Sequence, residues 1–287
     1  MTSSYLDLVR SHTQLLPLPW QAGPARPMQA VADDAPVCLI CAPHPDDEAL
    51  MGGLAWRLRH EQGWRVVNLA MTLGSRTDRQ AARWQEAQAC CTRLGFELQA
   101  ASGVAGQPLP GVHPDAALRQ SQEWRGALAH LRRRLLEWRP RLIIAPHDQD
   151  GHPAHIATAW LVRQAVAQSL SGPVDLLSAE YWQTHPQPRL AVGLSDTTVA
   201  ELMAGLALHQ GEVARNPYHL LLPAWFMDSA RRGAERVGAL GAPALGFALA
   251  SLYGWQRWED SHWRDMPPQA LAPGTPLELD PAPTASW

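Results

Sequence analysis

From Val37 onward, short unbroken apolar runs alternate with longer stretches in which apolar positions recur three or four residues apart. The unbroken runs are VCLICA (Val37–Ala42), RVVNLAM (Arg65–Met71) and LIIA (Leu142–Ala145). Such runs predict strands buried on both faces. Phe96–Ala100, Asp175–Glu180 and Leu190–Gly193 read as further strands. Ala49–Glu61 carries Leu50, Leu54 and Leu58 at helical spacing, and Gly63 ends it. Gln80–Leu94 reads as a helix closed by Gly95, and Glu123–Trp138 as one stopped near Pro140. Ala154–Gln168 and Thr197–His209 read as two more. Strand and helix thus alternate from about residue 37 to 210. This predicts an α/β, Rossmann-like three-layer fold: a mostly parallel sheet with helices on both faces.

The pattern also divides the chain. Residues 1–35, with their prolines and small residues, read as an irregular N-terminal extension that wraps the domain. Residues 36–265 read as one α/β domain, and residues 266–287 as a Pro-rich C-terminal tail. The stretch Asn216–Asp228 and the run AERVGALGAPALGFALASLYGW resemble neither a repeat nor an independent domain.

Composition narrows the function. The 287 residues are 46% apolar and 18% charged, which is globular. A net charge of -3 does not suggest a nucleic-acid partner. All 24 basic residues are arginine, so Schiff-base and lysine-base chemistry is excluded. The four cysteines form neither a disulfide framework nor a zinc ribbon, which fits a reducing, cytoplasmic setting. The start MTSSYLDLVRSH lacks the basic and apolar regions of a signal peptide, and no run of 18 apolar residues predicts a membrane span. The 13 tryptophans are scattered; most are expected in the core, with one or two lining a sugar-sized site.

Chemistry concentrates at two strand ends, where open α/β sheets place their sites. CAPHPDDEAL follows the first strand, and PHDQDGHPAH follows LIIA. His44 and Asp47 flank the turn from strand to helix and can face one cation. An imidazole and a carboxylate suit zinc or another divalent first-row metal, iron included. His155, three residues after His152, is the choice for a third ligand, leaving room for water. Asp46 is then placed to act as general base, and His152 to steady an oxyanion or protonate a departing amine. Glu48 reads as a helix-start residue favoured by the dipole. Arg76 is a candidate for a substrate hydroxyl or carboxylate, or a solvated turn residue. Glu86 is expected to pair with Arg83. His147 is expected near the mouth of the site, not as a ligand. Two acids after the first strand would repel a pyrophosphate, which argues against a dinucleotide site.

The stretch APHPDDE resembles the AHPDDE signature of the PIG-L/LmbE family of zinc-dependent de-N-acetylases, and GHPAH (Gly151–His155) resembles its GHPDH signature. RWQEAQACCTRLG, MTLGSR and GLSDTTVAELMAGLALHQ are similar to further segments of that family, so the resemblance spans about residues 37–210. It implies an LmbE-like fold, with zinc held by His44, Asp47 and His155, Asp46 as general base, and His152 as a second catalytic histidine. It implies release of acetate from an N-acetylglucosaminyl-type small molecule or glycoconjugate. Removal of a longer acyl chain, cleavage of a thiol-sugar conjugate, or a non-catalytic carbohydrate-binding role are the alternatives. The chain departs from the pattern at three places. Ala154 stands where the family has a histidine-orienting Asp, a role Asp150 or Asp148 could take over. The loop ASGVAGQPLPG lacks the family's sugar-contacting acid, leaving Arg76 and Asp150 as candidate substrate contacts. His209-Gln210-Gly211 replaces His-x-Ser-Gln.

Overall fold

The run VCLICA forms β1 (Val37–Ala42), which lies between two parallel neighbours, β2 (Arg65–Ala70) and β4 (Leu142–Pro146). This is a computed structural model in which residues 4–16, 18 and 20–279 are described; residues 280–287 of the expected tail lie outside them. The strand β3 (Glu97–Ala100) adds in parallel beyond β2, and β5 (Val174–Ala179) beyond β4. Next comes β7 (Ala250–Glu259), antiparallel to β5. It carries β6 (Leu190–Gly193) antiparallel on its other side, and β8 (His262–Asp265) folds back on it. The strand β9 (Gln269–Leu271) runs parallel to β6 and completes the order β3-β2-β1-β4-β5-β7-β6-β9. The sheet is mixed α/β and mostly parallel, as the alternation predicts.

Alternate residues of β1 enter two different cores. Cys38, Ile40 and Ala42 pack with Leu54 and Leu58 of α3 (Gly53–Glu61), Leu94 of α4 (Gln80–Leu94) and Leu202 of α8 (Asp196–Leu206). Val37, Leu39 and Cys41 pack with Leu131 and Leu135 of α6 (Gln122–Trp138) and Leu161 and Val162 of α7 (Pro153–Ser169). Burial on both faces is why this strand has no polar position. The remaining α-helices among the described residues are α1 (Tyr5–Leu15), α2 (Asp47–Leu50), α5 (Pro114–Leu118), α9 (Gln210–Arg215) and α10 (Leu222–Gly233).

Several boundaries differ from the pattern. The helix expected over Ala49–Glu61 is two, α2 and α3, broken at Met51–Gly52. A side chain on Gly52 would meet the Glu48 carbonyl oxygen at 2.3 Å, so the tight turn requires glycine there. The extension expected to be irregular holds α1, started by a capping box of Ser4 and Asp7. The stretch without a legible pattern holds α10 and the ten-residue β7. Beyond residue 266, β9 joins the sheet, and Leu277 and Leu279 enter the core. Among the described residues no helix is long and apolar enough to cross a membrane.

The neighbours of β1 are strands reached in opposite directions along the sheet. The crevice beyond the carboxyl ends of β1 and β4 is therefore the topological switch point, where open α/β folds bind ligands.

Candidate active site

Three donor atoms converge in that crevice. His44 Nδ1 lies 3.3 Å from His155 Nε2 and 3.6 Å from Asp47 Oδ2, and the last two are 3.4 Å apart. His44 and Asp47 come from the turn after β1, and His155 from the first turn of α7. Tetrahedral zinc with ligands at ~2.0–2.2 Å needs donors ~3.3–3.6 Å apart, which is this triangle. Asp47 Oδ1 is buried with no hydrogen-bond partner in the structure, as expected of a carboxylate whose compensation is a cation. The donor set and its spacing fit a divalent metal. His152 adds a ring at the rim: the ligating atoms of His44, His152 and His155 all lie within 4.8 Å of one another.

The charges strain against burial. Burial opposes ionisation of Asp47, but His155 and His44 outweigh it and hold the carboxyl below the usual carboxylate range. Burial likewise opposes a charged His155, yet Asp47 and Asp150 push its ring up to about 10. Asp150 is completely buried, with Oδ1 3.2 Å from His155 Nδ1 and Oδ2 accepting from the Trp182 backbone N–H at 3.1 Å. Asp150, a candidate substrate contact, thus has no surface exposure and lies behind His155, on the side of the ring away from Asp47.

Asp46 adopts φ 113°, ψ −30°, a region costly for any residue but glycine. Three contacts impose it. Its N–H donates to Glu48 Oε2 at 2.9 Å, the Tyr218 hydroxyl donates to its Oδ2 at 2.7 Å, and Arg83 Nη2 stands 3.8 Å from the same oxygen. Burial, then the neighbouring Asp47 charge, pushes Asp46 up to about 7. Glu48, expected to serve the helix start, is fully buried; its other oxygen lies 2.9 Å from His209 Nε2. Cys90 joins this second, wholly buried cluster.

His152 caps α7. Its Nδ1 accepts the Ala154 N–H at 3.2 Å, so in the neutral ring the proton is on Nε2. Burial, then His44 and His155, pushes the ring down to about 4. The missing aspartate at position 154 therefore leaves His152 oriented by a backbone donor. Asp148 is exposed, and Asp150 reaches only the His152 N–H, at 3.4 Å.

Other expectations meet a different arrangement. The Arg76 side chain is 74% exposed and tied to Asp78 at 2.6 Å, the solvated arrangement that was its alternative reading. Glu86 pairs with Arg79 at 3.0 Å and accepts from Gly211 N–H, not from Arg83. Arg83 instead reaches the Pro45 carbonyl at 2.9 Å, Asp46, and Glu212 at 3.7 Å. His147 is buried, with Nε2 3.0 Å from the Gln183 carbonyl oxygen. The pattern did not signal Tyr218, whose segment shows no periodicity, nor Tyr181 and Trp182, which follow β5.

Residues 39–166 match the protein family described as GlcNAc-PI de-N-acetylase, PIG-L. A Mycobacterium leprae 1D-myo-inositol 2-acetamido-2-deoxy-alpha-D-glucopyranoside deacetylase is 28% identical over 159 residues, 47% of this chain and 52% of that protein. The chain thus spans about half the length of the curated relatives it matches. Among solved structures, the N,N'-diacetylchitobiose deacetylase of Pyrococcus horikoshii superposes with TM-score 0.54 at 16% identity, covering 89% of this chain and 94% of its own. The 4-carboxy-2-hydroxymuconate hydratase GalB of Pseudomonas putida KT2440 superposes with TM-score 0.58 at 17% identity, covering 77% and 95%. At such identities the structures share the fold, and the pair shows that it hosts more than one chemistry. The match to the PIG-L family model thus covers residues 39–166, under half of the chain.

Proposed function

We propose that the protein is a metal-dependent amide hydrolase that removes the N-acetyl group of an N-acetylglucosaminyl-type substrate. The observation that carries this reading is the triangle of His44 Nδ1, Asp47 Oδ2 and His155 Nε2, with buried Asp46 the residue before Asp47. The relatives named as deacetylases support the same substrate class. His44, Asp47 and His155 would hold the cation, and the nitrogen–oxygen donor set favours zinc, with iron as the alternative. Bound there, a divalent cation lowers the pKa of water and polarises an amide carbonyl.

The chain's own residues supply the proton transfers. Asp46 takes the proton of the attacking water as the carbon–oxygen bond forms. Tyr218 and Arg83 favour its ionised form and hold the carboxylate in one orientation. His152, with its proton on Nε2, donates a hydrogen bond to the developing oxyanion. When the carbon–nitrogen bond breaks, Asp46 returns the proton to the leaving amine, and acetate is the other product. All four cysteines are buried free thiols, which supports the reducing, cytoplasmic setting.

The test is acetate release from a panel of N-acetylglucosaminyl compounds by zinc-loaded protein, with Asp46→Ala as the control. Release that requires both metal and Asp46 is expected. No release from a protein that still binds one equivalent of metal would refute acetyl as the acyl group.

A further inference from the structure

A second cavity, of about 320 Å³, opens over one face of the sheet, and neither the three donors nor Asp46 nor His152 lines it. Its base crosses three strands. Ala145 of β4, Ser178 of β5 and Gly254 of β7 stand in one row, with Leu176 and Gln256 in the next. Side chains alternate along a strand, so these residues share a face. It is the face that α7 covers with Leu161 and Val162, and at the edge of that cover Arg163 lines the cavity. A Cβ at Gly254 would meet His185 Nε2 at 2.3 Å, so the glycine lets this imidazole lie against the strand. The volume falls at the lower end of small-molecule sites, about 300–1,000 Å³.

Two arginines and two aspartates line the cavity, and one pair cancels. Arg189 meets Asp265 at 2.9 Å, and the other Asp265 oxygen accepts from Gln256 at 2.8 Å. Arg163 and Asp148 are left. Arg163 is half-buried, and burial pushes its guanidinium below the ordinary value. Its Nη1 donates to Gln256 Oε1 at 2.5 Å, and its guanidinium carbon stands 4.8 Å from the Trp263 ring centroid, yet no carboxylate among the described residues pairs with it. Arg57, Arg232 and Arg257, also withdrawn from water, each meet a carboxylate at 2.6–2.9 Å. Asp148 is exposed and has no hydrogen bond or ion pair among the described residues; it acts on Arg163 from beyond ion-pair distance. His185 adds a donor. Its Nδ1 accepts the Gln187 N–H at 3.0 Å, and burial, then His147, pushes the ring down to about 4. The ring is therefore neutral with its proton on Nε2, which has no partner among the described residues. A guanidinium without an anion, a carboxylate without a cation and a spare N–H thus line one small hollow.

We propose that this cavity is a binding site for a small zwitterion of the α-amino-acid type, its carboxylate received by Arg163 and its ammonium by Asp148. A guanidinium partly withdrawn from water is best completed by a planar carboxylate. A simple anion would answer Arg163 and leave Asp148 facing a like charge; a simple amine would do the reverse. A molecule that carries both charges answers both. The Ser178 hydroxyl and the His185 N–H offer further hydrogen bonds in the same hollow. The site stands apart from the deacetylase reading and does not depend on it.

The experiment uses zinc-loaded full-length protein. Thermal melts with each common L-amino acid at millimolar concentration, histidine and cysteine omitted because they bind zinc themselves, select the most stabilising one. Calorimetric titration then compares it with its desamino carboxylate and its decarboxylated amine. The amino acid is expected to bind at least about tenfold tighter than either analogue, since each analogue lacks one charge-assisted pair. Arg163→Gln should weaken the amino acid and the desamino carboxylate alike, by at least about tenfold. Asp148→Asn, a change at an exposed position, should bring the amino acid down to the affinity of the desamino carboxylate without weakening the latter. Three results would overturn the proposal: no stabilisation by any amino acid, equal affinity for the desamino carboxylate in wild type, or an affinity that survives both substitutions, as binding to the metal itself would. Acetate release enters none of these readouts, so failure here and failure of the deacetylase reading are told apart.

Discussion

Replacing Glu48 by Gln removes one charge and no volume from a site with no exposure to solvent. The carboxylate accepts from Asp46 N–H through Oε2 and lies against His209 Nε2 through Oε1, both at 2.9 Å. An amide has one oxygen. If that oxygen keeps Asp46, the NH2 group faces His209, which must then carry its proton on Nδ1. That nitrogen is buried without a partner. The change thus breaks a buried ion pair, at a cost of about 3–5 kcal/mol. For a domain of this size the Tm should fall by roughly 6–20 °C. The sign of the pH dependence is fixed too. Burial opposes a charged His209, but Glu48 outweighs it and raises the ring above its ordinary value. Stabilisation from the pair is complete below the unfolded value of ~6.5 and fades as pH rises through the folded one. The Tm gap between wild type and Glu48→Gln should therefore be widest near pH 6 and narrow in alkali; His155, raised in both proteins, cancels in the difference. The weakened hold on Asp46, whose backbone conformation costs about 1–3 kcal/mol, should appear as lower kcat with metal content unchanged. Paired thermal melts across pH, with metal analysis, test this. A gap near zero, or one that widens with pH, would refute the reasoning.

Three further outcomes are expected. Asp150→Asn should weaken zinc binding about 10–100-fold by competition with a chromophoric chelator, because it removes the carboxylate behind His155; unchanged affinity would deny Asp150 that role. Tyr218→Phe removes a hydrogen bond that holds the Asp46 carboxyl down, so the acidic limb of the kcat/KM–pH profile should move to higher pH; a shift to lower pH would contradict the assignment. Gly151→Ala, at φ +92° with Gln183 only 2.8 Å from the new methyl, should lower the Tm by a few degrees, reflecting about 1–2 kcal/mol of strain. A melt superimposable on wild type would mean that the turn relaxes freely.

What the sequence displayed and what it concealed follow from the range of the interactions. VCLICA and LIIA announce themselves because burial on both faces leaves no polar position, and that is a local property. The donor triangle was legible because each half is a three-residue spacing at a strand end, and the parallel sheet brings strand ends together. Tyr218 reaches Asp46 across 172 residues from a segment without periodicity, so no local signal could join them. The orienter of His152 is the N–H of Ala154, a donor every residue but proline carries, which is why substitution of the family aspartate looked like a loss. The complete burial of Asp150 comes from segments distant in sequence, so its own surroundings in the chain do not announce it. The strand β7 was hidden for a different reason. Its partners β5 and β6 both precede it by some sixty to eighty residues, and its sequence gives no alternation to mark a pairing partner.

The late arrival of β7 bears on how the protein emerges from the ribosome. All three donor residues are translated by position 155, and the five parallel strands by position 179. Yet β5 keeps one edge unpaired, and β6 has neither of its neighbours, until the segment Ala250–Leu271 is made. For that interval the nascent chain presents an apolar strand edge while already holding residues able to capture a metal. Such an edge is a template for pairing with another chain. The C-terminal stretch is therefore the seal on the sheet during biogenesis, and a chain stopped before it should partition to aggregates even though its metal ligands are all present.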